Sequence, residues 1–410
     1  MQSITKILQT IFARFPEIGK PQRKFLQELF GLIPTVFGRL NFTNMARYSR
    51  YNESTFRRQF SRFFDWTKFN YCFLMFIVGY QKKSEYIGAI DCSFIPKAGK
   101  KTENLDKFWS GVAQKNKRGL EISVVSLIDV EQKKAWTIDA RQTPAGLAAK
   151  EGETSEYSRV DFYAAQLAEC IIQYPEIQHY VADGFYTKRK IMNVLQAHGK
   201  HLIGKLRPDA NLNYLLDRSK NPTAHGNQKY DGKVNWKALN LDKWHFNGVD
   251  ERHPHLRLYS QILYHPHFKQ KFLVLFIWNA RNGGYALLFS TDLELDPHRL
   301  LYYYQLRFQI EFIFRDAKQF TGLCHCQARD EDKQDFHFNM SLAALNIYRY
   351  LIATTSNSTM SMNSFFRKAY NHKLVKTLFS KLNSQAEFEV NIALQHPFVQ
   401  DVINIGQMRA

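Results

Sequence analysis

Four side chains in one stretch of the chain could together hold a metal ion and a phosphate: Tyr304, Arg307, Glu311 and Lys318. On an α-helix, at about 100° per residue, they fall at roughly 0°, 300°, 340° and 320°, within one narrow stripe. Arg315 falls on the same stripe. A carboxylate flanked by cations suits a site where a metal ion and a phosphate meet.

The rest of this predicted helix explains how the stripe could be positioned. An Asp296–Pro297 pair is a favourable start, and we expect the helix to continue from there to about Phe320. Apolar residues on the other side would seat it on a core. They are Leu306, Ile310, Ile313, Ala317 and Phe320. The alternative is an exposed helix whose charges form salt bridges at these same spacings.

Two aspartates end strand-like apolar runs elsewhere in the chain. Asp91 follows Tyr86–Ile90, and Asp183 follows a short run that begins at His179. If the two strands are neighbours and the helix crosses their ends, three carboxylates converge, and divalent cations would offset their repulsion. Mg²⁺ prefers such oxygen ligands, and two ions can assist phosphodiester transfer. Each aspartate alone could instead be a turn or helix cap.

The spacing of Tyr304, Arg307, Glu311 and Lys318 resembles the Tyr-Arg-Glu-Lys signature of a large group of bacterial insertion-sequence transposases. These enzymes belong to the DDE class, named for its Asp-Asp-Glu metal triad. The resemblance implies an α/β fold. Its ribonuclease H-like mixed sheet would be flanked by helices and interrupted by a strand-rich insertion, with a helical N-terminal domain and a helical C-terminal tail.

The resemblance also implies roles for individual residues. Asp91, Asp183 and Glu311 would be the catalytic residues and would bind two Mg²⁺ ions, with Mn²⁺ as a substitute. Phosphates of the transposon end would be held by three residues of the signature and by a fourth cation on the same stripe. These are Tyr304, Arg307, Lys318 and Arg315. Trp278 is our candidate to receive a flipped base, and the alternative is a buried strand aromatic.

Composition supports a polyanionic partner. The 410 residues include 56 Lys and Arg against 37 Asp and Glu, a net charge of +19. Such an imbalance is typical of proteins that bind nucleic acid. No apolar run is long enough to span a bilayer, and the N-terminus does not resemble a secretory signal, so we expect no membrane partner.

The five cysteines are scattered, which predicts reduced thiols in the cytoplasm. With DNA as the expected partner, we expect the protein to be associated with the bacterial nucleoid. Cys324-His325-Cys326 is the one cluster among them that could suggest zinc. The sequence contains no second cluster at the spacing that zinc sites require, so we do not predict zinc there.

Five regions are expected from changes in hydrophobic period. They are a helical DNA-binding domain (1–80), the first part of the catalytic core (84–208), a strand-rich insertion (209–290), the catalytic helix (291–330) and a helical C-terminal region (331–410). Within 84–208 the predicted order is β-β-β-α-β-α-β, that of a ribonuclease H-like core. In the insertion we predict strands at 256–264, 271–278 and 285–290, after a polar, turn-rich first half.

Residues 1–80 contain two short predicted helices joined by a polar turn, as in a helix-turn-helix. The second helix is expected to carry three DNA-binding cations, Arg57, Arg58 and Arg62. The alternative is a basic helical bundle that serves only as a spacer. The basic segment 97–118 could line the DNA path, or it could be a solvated loop.

We therefore predict an enzyme that binds the terminal inverted repeats of a transposon, cleaves DNA and joins the ends to target DNA. By analogy with related enzymes, a homodimer would act on paired double-stranded ends. Two alternatives remain open. One is a domesticated, non-cleaving DNA-binding protein or repressor, and the other is a nuclease of the same fold that cuts without joining.

Overall fold

A computed structural model describes residues 3–80, 85–147, 157–219, 225–354, 360–382 and 392–404. Its α-helices surround one large sheet. They are α1 (Ile4–Phe12), α2 (Lys20–Leu32), α3 (Phe42–Tyr48), α4 (Glu53–Phe60), α5 (Trp66–Phe73), α6 (Arg159–Gln173), α7 (Arg189–Ala197), α8 (Pro297–Leu306), α9 (Phe308–Gln319), α10 (Glu331–Thr354), α11 (Met362–Leu382) and α12 (Pro397–Ile403). None of the described helices is long and apolar enough to cross a membrane.

The described residues form one sheet of twelve strands with mixed pairing. The strands are β1 (Tyr86–Pro96), β2 (Asp106–Ser110), β3 (Lys115–Asp129), β4 (Lys134–Gln142), β5 (His179–Val181), β6 (His201–Leu206), β7 (Asn213–Leu215), β8 (Tyr230–Lys233), β9 (His245–Val249), β10 (Leu256–His265), β11 (Gln270–Asn279) and β12 (Tyr285–Ser290). Their order is β2-β3-β1-β5-β6-β12-β11-β10-β7-β8, with β4 beside β3 and β9 beside β10. The predicted α/β class is confirmed.

The strands predicted within 84–208 are all present, and the segment contains one more. β2 lies in the basic segment 97–118 and pairs with an unexpectedly long β3. The solvated-loop alternative is therefore wrong for residues 106–118, which form a β-hairpin, whereas residues 97–105 are irregular. The polar half of the insertion also forms short strands, β7 to β9, and β12 joins this region directly to β6 of the core.

The two faces of the central strands are covered by different helices. On one face, Gln166 of α6 accepts a hydrogen bond from the buried Ser123 hydroxyl at 2.6 Å. Asp91, on β1, belongs to the opposite face, and Arg307 at the start of α9 reaches it there. Neighbouring strand residues alternate between faces, so Cys92 lies on the face covered by α6, where the Tyr186 hydroxyl donates to its sulfur at 2.9 Å.

The N-terminal helices share a hydrophobic core with the sheet and α10. Phe60 packs against Phe336 with ring centroids 4.4 Å apart, and the Tyr348 hydroxyl donates to the Phe30 carbonyl at 2.6 Å. The two predicted short helices are present as α3 and α4, and the Asn52 side chain caps α4. However, α4 ends at Phe60 rather than Arg62, so the prediction that Arg62 lies on this helix is wrong.

The helix that carries the stripe begins as predicted, with Asp296 as its N-cap and Pro297 in its first turn. It is not one continuous helix, because α8 ends and α9 begins around Arg307. The amide of Arg307 bonds to the Tyr304 carbonyl, and the amide of Ile310 bonds to the Arg307 carbonyl. These i to i+3 bonds tighten the backbone locally, which an ideal wheel at 100° per residue does not represent.

A close contact fixes the parallel pairing of β1 with β5. Gly88 lies opposite Tyr180, and a Cβ atom at position 88 would come within 2.3 Å of the Tyr180 ring. Tyr180 is fully buried, so its ring has no free space to move into. Gly88 is thus required for the approach of the two strands.

We predict that Gly88→Ala lowers the free energy of unfolding by about 1–3 kcal/mol, because the added methyl forces β1 and β5 apart. Chemical denaturation of the full-length protein measures this. Gly111→Ala is the matched control, since nothing lies within 4 Å of a Cβ at that turn position. Equal stability of the two variants would show that the strands tolerate a wider spacing.

Candidate active site

Asp91 lies in the middle of β1, opposite Val124 of β3. Its Oδ1 accepts a hydrogen bond from the backbone amide of Cys92 at 2.8 Å, and its side chain is 21% exposed. The strand forms here because its apolar residues are buried between helices on both faces. The carboxylate is therefore held rigidly at the boundary between core and solvent.

Asp183 lies just beyond the carboxyl end of β5 and begins a short 3₁₀ turn, Gly184–Tyr186. Its Oδ1 accepts a hydrogen bond from the amide of Phe185 at 2.8 Å. Because β5 runs parallel to β1, both aspartates lie toward the same edge of the sheet. The expectation that the two strands are neighbours is confirmed. The cap role, which we raised as an alternative for Asp183, occurs together with this placement.

Arg307 connects Glu311 to the first aspartate. Its Nη2 lies 2.8 Å from Glu311 Oε1, and its Nη1 lies 3.9 Å from Asp91 Oδ2. The Arg307 side chain is only 10% exposed, and its Nε has no hydrogen-bond partner among the described residues. A buried guanidinium between two carboxylates offsets part of their repulsion.

The raised pKa of Asp91 shows that part of this repulsion remains. Burial raises the pKa of Asp91 from an ordinary 3.8 to about 7, and the nearby Asp183 and Glu311 carboxylates add to this rise. The Cys92 amide and Arg307 act in the opposite direction, because both favour the charged form. The three carboxylates therefore share one electrostatic environment.

The chemistry of these side chains fits a divalent cation, since all three offer only oxygen ligands and their like charges repel. As placed, no group of three or more His, Cys, Asp or Glu side chains in the described part of the chain is arranged to hold a metal. The ion pair of Glu311 with Arg307 gives one physical reason. That carboxylate would have to exchange its guanidinium partner for an ion.

The other predicted residues of the stripe differ in their surroundings. Tyr304 is partly buried, with the Arg307 guanidinium carbon 5.8 Å from its ring centroid. Burial raises the pKa of its hydroxyl. Lys318 donates from Nζ to the Phe94 carbonyl at 3.1 Å and so attaches α9 to β1. Arg315 is 62% exposed and pairs with Asp316.

Trp278 lies on β11, which is separated from β5 by β6 and β12. It is partly exposed rather than fully buried, and the Arg257 guanidinium carbon lies 5.4 Å from its ring centroid. In the N-terminal region, Arg57 pairs with Glu53 on α4, whereas Arg58 and Arg62 are exposed. The structure does not bring these residues into contact with the carboxylates.

Two anchoring contacts were not predicted. Lys97 donates from Nζ to the carbonyls of Cys326 and Ala328 at 2.7 and 2.8 Å. His325 Nδ1 accepts a hydrogen bond from the amide of Leu40 at 3.1 Å. The segment after α9 thus ties the N-terminal helices to β1. The partners of Lys97 and His325 are backbone carbonyls and a backbone amide, so side-chain patterns in the sequence gave no signal for these contacts.

We predict that Asp91→Asn stabilises the metal-free protein by about 1–3 kcal/mol at pH 8. The raised pKa means that the folded protein retains a proton that the unfolded chain releases. The loss of stability that ionised Asp91 causes in the wild type is absent below about pH 4, grows between pH 4 and 7, and is complete above pH 7. Thermal melts in EDTA should therefore show a larger gain at pH 8 than at pH 5.

Asp209→Asn provides the control, since that side chain is 74% exposed. It should change stability little at either pH. An Asp91→Asn gain of the same size at pH 5 and pH 8 would mean that the repulsion between carboxylates is not its source.

Two families of known proteins match this sequence. The sequence matches the family described as "Transposase DDE domain" over residues 161–347, a span that includes Asp183 and Glu311. It also matches the family described as "DDE superfamily endonuclease" over residues 14–244, which includes Asp91 and Asp183. No curated protein matches the chain. Since the second match covers more than half of the 410 residues, the chain belongs to the DDE superfamily of endonucleases.

Proposed function

We propose that this protein is a DNA transposase that binds transposon terminal inverted repeats, cleaves phosphodiester bonds and joins the ends to target DNA. The DDE class predicted from the sequence is confirmed by the family matches. The Tyr-Arg-Glu-Lys subgroup and a bacterial insertion-sequence origin are part of the proposal. So is the ribonuclease H-like core, which the central strand and helix order supports.

The observation that carries this proposal is the meeting of three carboxylates with one buried arginine. Asp91 and Asp183 lie toward one edge of the sheet, and Arg307 contacts both Asp91 and Glu311. A single buried arginine thus lies beside two acids, and a third acid, Asp183, raises the pKa of Asp91. Perturbed carboxylates grouped in this way are typical of catalytic sites.

In the proposed mechanism, Asp91, Asp183 and Glu311 would hold two divalent ions, Mg²⁺ or its substitute Mn²⁺. When bound, such ions activate the attacking oxygen and stabilise the leaving oxygen in phosphodiester transfer. The protein supplies rigid placement. Asp91 is fixed within a strand, Asp183 is fixed by its cap hydrogen bond, and Arg307 is positioned to fork toward a phosphate when Glu311 turns away.

The remaining DNA contacts are proposed by position. Tyr304 borders Arg307, Arg315 is exposed on the same helix, and Lys318 would reach a phosphate only by leaving the Phe94 carbonyl. In the N-terminal region, end recognition would use Arg57, Arg58 and Arg62. Trp278, whose ring borders Arg257, would receive a flipped base. A nucleoid-associated homodimer acting on paired double-stranded ends completes the proposal.

We predict that Asp91→Asn, Asp183→Asn and Glu311→Gln each abolish Mg²⁺-dependent nicking of DNA. Each amide keeps the shape of the side chain but loses the charge that would hold the ion. Supercoiled plasmid, and plasmid carrying the terminal repeats, are the substrates, and joined products are scored separately from nicks.

Glu131→Gln is the matched control, because Glu131 is exposed in the turn between β3 and β4. It should cut like the wild type. Near-normal cutting by a folded triad variant removes that residue from the site. Nicks without joined products would support a nuclease that only cuts. Binding without cutting by the wild type would support a DNA-binding protein or repressor.

We predict that Arg307→Ala lowers the cleavage rate about ten- to a hundredfold while lowering DNA affinity less. A charge-assisted contact to phosphate is worth on the order of 1.5–3 kcal/mol, and here it would be felt mainly in the transition state. Single-turnover cleavage and fluorescence anisotropy separate the two effects.

Arg315→Ala is the comparison on the same helix, since Arg315 is 62% exposed and does not pair with the carboxylates. It should weaken binding modestly and leave the bound complex cleaving at its normal rate. A wild-type cleavage rate in Arg307→Ala would show that the buried arginine is only structural.

A further inference from the structure

The β2–β3 hairpin, residues 106–118, extends past the end of β1. β1 pairs with β3 as far as Pro96, which lies opposite Gly119. β2 pairs with the remaining residues of β3, from Asp106 opposite Gly119 to Ser110 opposite Lys115. Asp91 lies opposite Val124 in the same ladder. The hairpin therefore leads outward from the catalytic aspartate, in the direction in which β1 runs.

One face of this hairpin continues the face that carries Asp91. Opposed residues in an antiparallel pair share a face, and so do residues two apart along a strand. Arg118 and Asn116 are an even number of residues from Val124 along β3, so they lie on the same face as Val124 and Asp91. Their partners on β2 are Lys107 and Trp109. All four of these side chains are exposed, and Trp109 is 55% exposed.

The opposite face of the hairpin is fixed to the protein. Phe108 is fully buried, with the Arg159 guanidinium carbon 4.3 Å from its ring centroid. Arg159 also pairs with Asp106 at 3.1 Å and donates to the Lys107 carbonyl at 2.9 Å. The hairpin is thus anchored at its base by α6, and the Asp106 carboxylate is turned toward that anchor.

Charge on the exposed face favours a polyanion. Lys107 and Arg118 are directly paired across the strands, and within the described residues neither side chain forms a salt bridge. Two adjacent cations beside an exposed indole suit a sugar–phosphate backbone, where the ring can meet sugars and base edges. A two-stranded β-ribbon is also narrow enough to enter the major groove of a duplex.

The dimensions match DNA that leaves the carboxylates. At about 3.4 Å per residue, Arg118 lies roughly 20 Å along β3 from Val124, and Asn116 lies roughly 27 Å from it. B-DNA rises about 3.4 Å per base pair, so these residues would contact the duplex about six to eight base pairs from the level of Asp91. The chain has a net charge of +19, which agrees with such a partner.

We infer that the face formed by Lys107, Trp109, Asn116 and Arg118 binds the duplex DNA that runs out of the active site. The inference rests on the proposed function, since it takes the carboxylates as the point where DNA is cut. It assigns the hairpin a positioning role, in which it fixes the direction of the duplex.

The hairpin itself offers a matched test, because Lys115 and Lys117 are exposed on the same ribbon but belong to its other face. Lys107→Gln/Arg118→Gln and Lys115→Gln/Lys117→Gln remove the same charge from the full-length protein. Affinity for a fluorescent 40-base-pair duplex is measured by anisotropy in metal-free buffer at several salt concentrations. Thermal melts confirm that each variant folds.

We expect the first pair to weaken binding about five- to tenfold and to reduce the slope of log affinity against log salt by about 1.8, or about 0.9 for each lost phosphate contact. The second pair should change affinity by about twofold at most. DNA should also quench an emission component that is present in the wild type and missing in Trp109→Ala. Equal losses in the two pairs, or emission from Trp109 that DNA does not alter, would overturn the inference.

These measurements need no cleavage, so they separate the inference from the proposed function. Plasmid nicking by the wild type in Mg²⁺ is assayed in parallel. If the face-specific loss is seen without nicking, the hairpin binds DNA and the catalytic proposal fails. If nicking is normal and the two pairs behave alike, the catalytic proposal stands and the hairpin inference fails.

Discussion

Parallel pairing between β1 and β5 brings two carboxylates of like charge toward one edge of the sheet, and the rest of the site responds to that constraint. The pairing depends on Gly88, which leaves room for the buried Tyr180 ring. Once Asp91 is held there, burial and the neighbouring acids raise its pKa to about 7. The fold thus maintains an unfavourable concentration of charge that a packed core alone would not select.

Arg307 offsets part of that negative charge. Its guanidinium lies between Asp91 and Glu311, and the i to i+3 turn at the junction of α8 and α9 sets the start of the helix that carries both Arg307 and Glu311. One positive charge cannot neutralise three carboxylates, and the proposed binding of metal ions would supply the remaining positive charge. This deficit links the stability of the fold to the chemistry proposed for it, because the same repulsion that costs stability would favour ion binding.

Much of this arrangement could be predicted from local patterns, and the failures have identifiable causes. The strand of Asp91 and the start of α8 at Pro297 follow from apolar runs and capping residues, which act within a few positions. The break at Arg307 could not be predicted, because tertiary contacts rather than propensity decide where a helix tightens. The β2 strand was missed because its five residues, 106–110, lie among charges and gain stability only from β3 and Arg159.

A net charge of +19 indicates a polyanionic partner, but it does not identify the Lys and Arg residues that would bind that partner. The structure divides them by burial and by partner. Lys97 and Lys318 both donate to backbone carbonyls, so burial has turned them into connections between elements, and burial lowers the pKa of each. Lys107 and Arg118 lie on an exposed ribbon face that no described element covers. A cationic side chain that is buried in the core loses its hydration, which costs free energy, whereas an exposed one stays hydrated until phosphates displace the water. Exposed position, rather than abundance in the sequence, therefore indicates where DNA would lie.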